Sequence, residues 1–164
     1  MALSKIADAG LDLTAAAIPV LNSSSMPAGS VLQVVQGTTT NVAATTSTSY
    51  ISTTLGASIT PTSASSKILV VVSSSYYHSQ ANYGAFFTIL RNGSNVVGAT
   101  GWGDFYGNNS IQRIGFTLSY LDAPATTSST AYALGMKAES ASYTVYSPTQ
   151  SGALGTIILM EIAG

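Results

Sequence analysis

KILVVVSSS, residues Lys67 to Ser75, sets five aliphatic side chains in a row within a chain where Ser and Thr supply 45 of 164 residues. In an extended strand Ile68, Val70 and Val72 share one face, and Leu69 and Val71 share the other. A run this short, β-branched and closed by serines reads as a strand covered on both sides. One face is expected to meet an opposing sheet and the other a neighbouring subunit.

The same pattern extends in both directions. Val31 to Gln36 follows a Pro27-Ala28-Gly29 turn, Tyr50 to Leu55 alternates until Gly56, and Ala57 to Thr60 runs into Pro61. Residues 38 to 49 are too rich in Thr and Ser to be more than loop or edge strand. Ala85 to Arg91 and Asn95 to Ala99 flank Asn92-Gly93, the strongest short-range hairpin signal. Ile111 to Leu121 alternates so that Gln112, Ile114, Phe116, Leu118 and Tyr120 face a core, and it stops at Asp122-Ala123-Pro124. Thr130 to Ala138, Ser142 to Tyr146 and Gly155 to Ile162 follow. With no sustained helical period and no repeat, about eight strands imply an all-β fold, an antiparallel β-sandwich of jelly-roll type over residues 26–164.

Residues 1–25 differ in character and read as an N-terminal anchoring arm and linker. They hold Asp8 and Asp12, the only Ala-rich tract, and the polar string Asn22-Ser23-Ser24-Ser25. Leu3, Ile6, Leu11, Leu13, Ile18, Val20 and Leu21 give this arm apolar side chains that must be buried, against an anchoring protein or against its own domain. The tract 11–21 is interrupted by Pro19 and is well short of the ~20 residues that cross a bilayer. No basic leader precedes it as a secretory signal requires, so synthesis in a cytoplasm and no membrane insertion are expected.

Five basic and six acidic residues amount to 7% of the chain, against the usual quarter or so. Few charges are left to keep copies apart, so much of the surface is expected to lie in subunit interfaces. A net charge of −1 offers no electrostatic footprint for nucleic acid. There is no cysteine, which excludes disulfides, thiolate metal sites and a thiol nucleophile.

Taken together, MPAGSVLQVVQ (26–36), TSTSY (46–50), SITPTSASSKILV (58–70), ILRNGSNVVG (89–98), YLDAP (120–124) and TIILMEIAG (156–164) are familiar. The chain resembles the distal β domain of tail-fibre-like and other virion structural proteins of tailed bacteriophages. The resemblance covers roughly residues 26–164 and implies a homotrimeric β-sandwich knob displayed on a phage particle after assembly in the host cytoplasm. Members of that family often end longer proteins with a fibrous shaft, and this sequence has none. A short fibre, a capsid decoration of cement or head-fibre type, and a tail adaptor all remain open, each fastened to a capsid or tail protein through residues 1–25.

Chemistry in the chain is sparse. His78, the sole histidine, can be grouped on paper with a serine and with Asp104, Asp122 or Glu139. With 25 serines any histidine has one nearby, and no Gly-x-Ser-x-Gly elbow occurs. Asp104 and Glu139 are the carboxylates a glycan depolymerase would pair. Asp104, Asn108 and Asn109 offer oxygens to Ca²⁺ without the acidic density of a calcium loop. The expectation is a protein without catalysis, cofactor or metal. Aromatic residues are the one anomaly. Tyr76, Tyr77, His78, Tyr83, Phe86 and Phe87 bracket one loop, and Trp102, Asp104, Phe105 and Tyr106 lie in a second, GATGWGDFYGNNS (98–110). Rings flanked by Asp and Asn suit the apolar face and hydroxyls of a sugar. Tyr76, Tyr77, His78, Tyr83, Trp102, Asp104, Phe105, Tyr106 and Asn108 are therefore the candidate contacts for host surface glycan, with core or subunit interface as the other reading. A free lectin is the remaining alternative.

Overall fold

The computed structural model describes residues 26–102, 104–107 and 112–164, with the side chain of Asp104 outside that description. The expected arm, with Leu3, Ile6, Leu11, Leu13, Ile18, Val20 and Leu21, lies outside the described residues. Two antiparallel sheets pack face to face, and no helix occurs among the described residues. The first sheet holds β1 (Val31–Thr39), β2 (Ala43–Thr45), β4 (Lys67–His78), β8 (Arg113–Asp122), β10 (Val145–Ser147) and β11 (Gly155–Ile162). The second holds β3 (Ile51–Ile59), β5 (Tyr83–Arg91), β6 (Ser94–Asn95), β7 (Asp104–Gly107) and β9 (Thr130–Ala138). Seven long strands carry the sandwich and four short ones trim it, where the sequence suggested about eight.

Strand β4 is the axis. β8 pairs with it from Ile68↔Asp122 to Tyr77↔Arg113. On its other edge β11 pairs over Lys67 to Ser73, and β10 takes over at Tyr77 and His78. These ladders continue the strand through Tyr76, Tyr77 and His78, beyond the Ser75 at which the sequence pattern ends it.

Local departures from the expected elements have local causes. Gly56 does not end a strand: it sits at a register shift inside β3, between Ser52 and Gly56. Gly37 must be glycine because a Cβ there would run into the Gly56 carbonyl. Asn92 (φ 49°) and Gly93 (φ 82°) make the expected hairpin turn, both with positive φ. The returning strand stops at Asn95 instead of running to Ala99, because the Asn95 side chain accepts from the Val97 N–H at 3.0 Å and from the Thr88 hydroxyl at 2.5 Å. That side chain bends the chain into a loop.

Between the sheets lie Ile68, Val70, Val72, Leu159 and Ile157 from one side and Leu55, Phe87, Ile89, Leu134 and Met136 from the other, all buried. At the Lys67 end of the sandwich a polar clamp joins the sheets. Arg91 on β5 donates through Nη1 to both oxygens of Asp122 on β8, at 3.0 and 2.9 Å. Tyr132 on β9 donates its hydroxyl to Asp122 Oδ2 at 2.6 Å. Burial, and after it the hydrogen bond to Asp122 and that residue's charge, push the Tyr132 phenol up from its ordinary value.

Removing the acceptor strands both donors. Asp122→Ala is expected to lower stability by about 3 kcal/mol in urea unfolding, the lower end for a buried pair because the Arg91 side chain is 32% exposed. A loss below about 1 kcal/mol, the scale of a surface ion pair, would mean the clamp does not hold the sheets.

Candidate functional site

The alternation of β4 aims Ile68, Val70, Val72, Ser74, Tyr76 and His78 inward and Lys67, Leu69, Val71, Ser73, Ser75 and Tyr77 outward. Register then lays out the outer face of the first sheet. Val34 lies beside Met160, Met160 beside Leu69, and Leu69 beside Leu121, so an apolar row crosses four strands. Val34 is 58% exposed and Leu121 49%. The next row is Gln36, Ile158, Val71 and Ser119, and the next Thr38, Thr156, Ser73 and Thr117. The Ser73 and Thr117 hydroxyls are 3.0 Å apart. At the far end Tyr77 stacks on Tyr146 at 5.1 Å, with the Arg113 guanidinium 4.6 Å from its ring centre. The face therefore grades from apolar through hydroxyl to aromatic. Its charged residues are Lys67 and Arg113, and among the described residues no carboxylate points from it. Leu69 and Met160, between the exposed Val34 and Leu121, are half-buried, and an apolar row of this kind gains by being covered.

The aromatic residues proposed from the sequence do not form one site. Tyr76 is fully buried, with ring centroids 5.5 Å from Phe87, 5.3 Å from Phe105 and 6.2 Å from Phe116. Phe105 packs in that same cluster. His78 is also buried: its Nδ1 lies 2.5 Å from the Gln80 carbonyl, and its Nε2 has no partner among the described residues. These three are therefore core residues, placed inside because β4 and β7 alternate through positions read as loop. Tyr83 is half-buried and stacks on Tyr143 at 4.5 Å. Tyr77 faces out on the first sheet, as above. Trp102 and Tyr106, 41% and 48% exposed, are the two that remain open on the flank of the second sheet. The Trp102 backbone N–H bonds the Phe87 carbonyl, and the Tyr106 hydroxyl donates to the Asn82 carbonyl at 3.0 Å. The Asp104 backbone pairs with Phe86; its side chain, and Asn108 entirely, lie outside the described residues.

The carboxylates described are engaged in holding structure. Asp122 is clamped by Arg91 and Tyr132, and Glu139 accepts from the Gly84 N–H at 2.9 Å. Glu161, which the sequence reading passed over in an apolar strand, is fully buried. It accepts from Gln33 Nε2 at 2.6 Å and from the Thr62 N–H and hydroxyl, each at 2.7 Å. Beside it a cleft of about 380 Å³ is lined by Met26, Leu32, Thr62, Ser65, Ser66 and Gly164. Only the polar turn Thr62-Ser63 that precedes β4 hinted at a buried acceptor nearby. Among known proteins, no family model matches the chain and no curated protein matches it significantly.

Burial alone would raise the Glu161 carboxyl, but the donors of Gln33 and Thr62 outweigh it and hold the group below its usual value of 4.5. A depressed folded value stabilises the protein above the unfolded value, and that contribution drains away as pH falls through the folded one. Stability should therefore fall as pH drops below about 4.5. Glu161→Gln should be less stable at neutral pH and show a flatter decline in acid, read from urea midpoints across the range. An identical acid decline in both proteins would assign it elsewhere.

Proposed function

We propose that the chain is a non-enzymatic structural protein of a tailed-phage virion, a short trimeric knob held on the particle by its N-terminal residues. The observation that carries this reading is the apolar row Val34, Met160, Leu69 and Leu121 on the outer face of a sheet whose other face already closes the core. A strand that is apolar on both sides needs two partners, and the fold supplies only one. Identical subunits supply the other without further sequence, and a closed ring of three leaves no open apolar face to drive filament growth. Residues 1–25 fasten the knob to a capsid or tail protein. Trp102 and Tyr106, open on the opposite flank, are the rings turned towards host surface glycan.

Sedimentation of the full chain tests the assembly. The expected mass is three times the 16.7 kDa of one chain. Leu69→Lys places a charge in the middle of the row without touching the core and should yield folded monomers with unchanged circular dichroism. A native chain that sediments as a monomer at micromolar concentration contradicts the trimer.

A further inference from the structure

We propose that the cleft beside Glu161 is a carbohydrate site that takes a neutral sugar unit. It lies apart from Trp102 and Tyr106 and does not depend on the glycan contact proposed for them. Its volume of about 380 Å³ falls at the small end of ligand sites, about 300–1,000 Å³, which suits one or two sugar rings. The walls are of two kinds. Thr62, Ser63, Ser65 and Ser66, in the turn that leads into β4, bring four hydroxyls. Met26, Leu32 and Ala163 bring aliphatic surface. A pyranose has the matching pair of surfaces, an aliphatic C–H face and a girdle of hydroxyls. Both walls are fixed by the backbone: the Ser66 N–H bonds the Ser63 carbonyl at 3.2 Å, and the Ala163 N–H bonds the Ser30 carbonyl at 2.8 Å.

Two of the hydroxyls define what the ligand must offer. Ser66 is 1% exposed, and its hydroxyl has no partner among the described residues. A buried hydroxyl left alone carries a desolvation cost, which a ligand hydroxyl, donor and acceptor at once, removes. The Thr62 hydroxyl donates to Glu161 Oε1 at 2.7 Å, and Glu161, held below its usual value, is ionised at neutral pH. A carboxylate only accepts, so the Thr62 hydrogen is committed to it and the Thr62 oxygen is left to accept in turn. A ligand O–H that donates to Thr62 completes a chain ending on a full negative charge, and each bond in such a chain strengthens the next.

Charge sets the class of sugar. No charged side chain lines the cleft among the described residues, and the group behind Thr62 is a carboxylate. An anionic sugar would find no cation there and would face Glu161 through a single side chain, whereas a neutral one meets only hydroxyls and aliphatic carbon.

The test titrates the isotope-labelled full chain with the methyl α-glycosides of glucose, galactose and mannose, and separately with glucuronate, and reads the backbone amide shifts. At least one neutral glycoside should give saturable shifts at Ser63, Ser65, Ser66 and Ala163, with glucuronate weaker by about tenfold or more. Ser66→Ala separates a ligand role from a structural one. It should weaken sugar binding about tenfold while leaving the urea midpoint unchanged or higher, because the hydroxyl it removes has no partner in the described protein. Thr62→Ser keeps the chain to Glu161 and should bind as the native protein does. Absence of saturable shifts with all of the neutral glycosides, equal affinity for glucuronate, or unchanged binding in Ser66→Ala would each overturn the proposal. Shifts confined to the amides of Trp102 and Tyr106 would place the sugar on the flank of the second sheet and overturn it as well, while leaving the glycan contact proposed there intact.

Discussion

Strand β4 is hydrogen-bonded along both edges, to β8 on one and to β11 and then β10 on the other, and the sandwich is organised around that double pairing. A central strand has its two faces fixed by its neighbours and cannot turn either of them away. Its inward face fills the core with Ile68, Val70 and Val72. One register step decides the end of the molecule as well. Ile68 has Glu161 beside it on β11 and Asp122 beside it on β8, both pointing inward. Two buried carboxylates in one row would be costly unless each found its own donors. Asp122 finds Arg91 and Tyr132 on the opposing sheet, and Glu161 finds Gln33 and the Thr62 turn. Asp122 thereby ties the two sheets together at the Lys67 end, and Glu161 ties β1 and the Thr62 turn to β11.

The outward face follows from the same strand. Leu69 and Val71, half-buried on that face, lie sideways against Met160, Leu121 and Ile158 and make a surface. The chain has few charges to spread over the rest, and most of those described are turned to internal work. Arg91 serves Asp122, Arg113 lies over Tyr77, and the Lys137 ammonium lies 4.8 Å from the ring centres of both Tyr50 and Phe86. A surface with so little charge does little to keep identical copies apart, which supports the assembly proposed above.

The long strands were legible because their alternation is strict and their ends are marked. Gly155–Ile162 and Thr130–Ala138 occur where the apolar period placed them, and Asn92-Gly93 makes its hairpin. What escaped depends on partners distant in sequence. Tyr76 and His78 look like a polar loop until β8 and β10 are known to pair alongside them, and the serines before them hide a continuing strand. Phe105 joins the core only because β7 pairs with β5. Glu161 in GTIILMEI gives no local sign that Gln33 and Thr62 will reach it. The expected aromatic site was thus divided among core, sheet face and flank, leaving Trp102 and Tyr106 exposed. The apolar row was half legible: the two faces of KILVVVSSS were evident, but not that Val34 and Leu121 would extend one of them.

Display on a particle is the central claim, and binding of labelled full-length chain to purified phage particles lacking this protein, beside intact host cells, tests it most directly. Saturable decoration of particles is expected at a stoichiometry divisible by three, competed by unlabelled chain and weakened by substitutions in the arm. Binding to cells alone, with no uptake on particles, would contradict it and leave a free glycan-binding protein in its place.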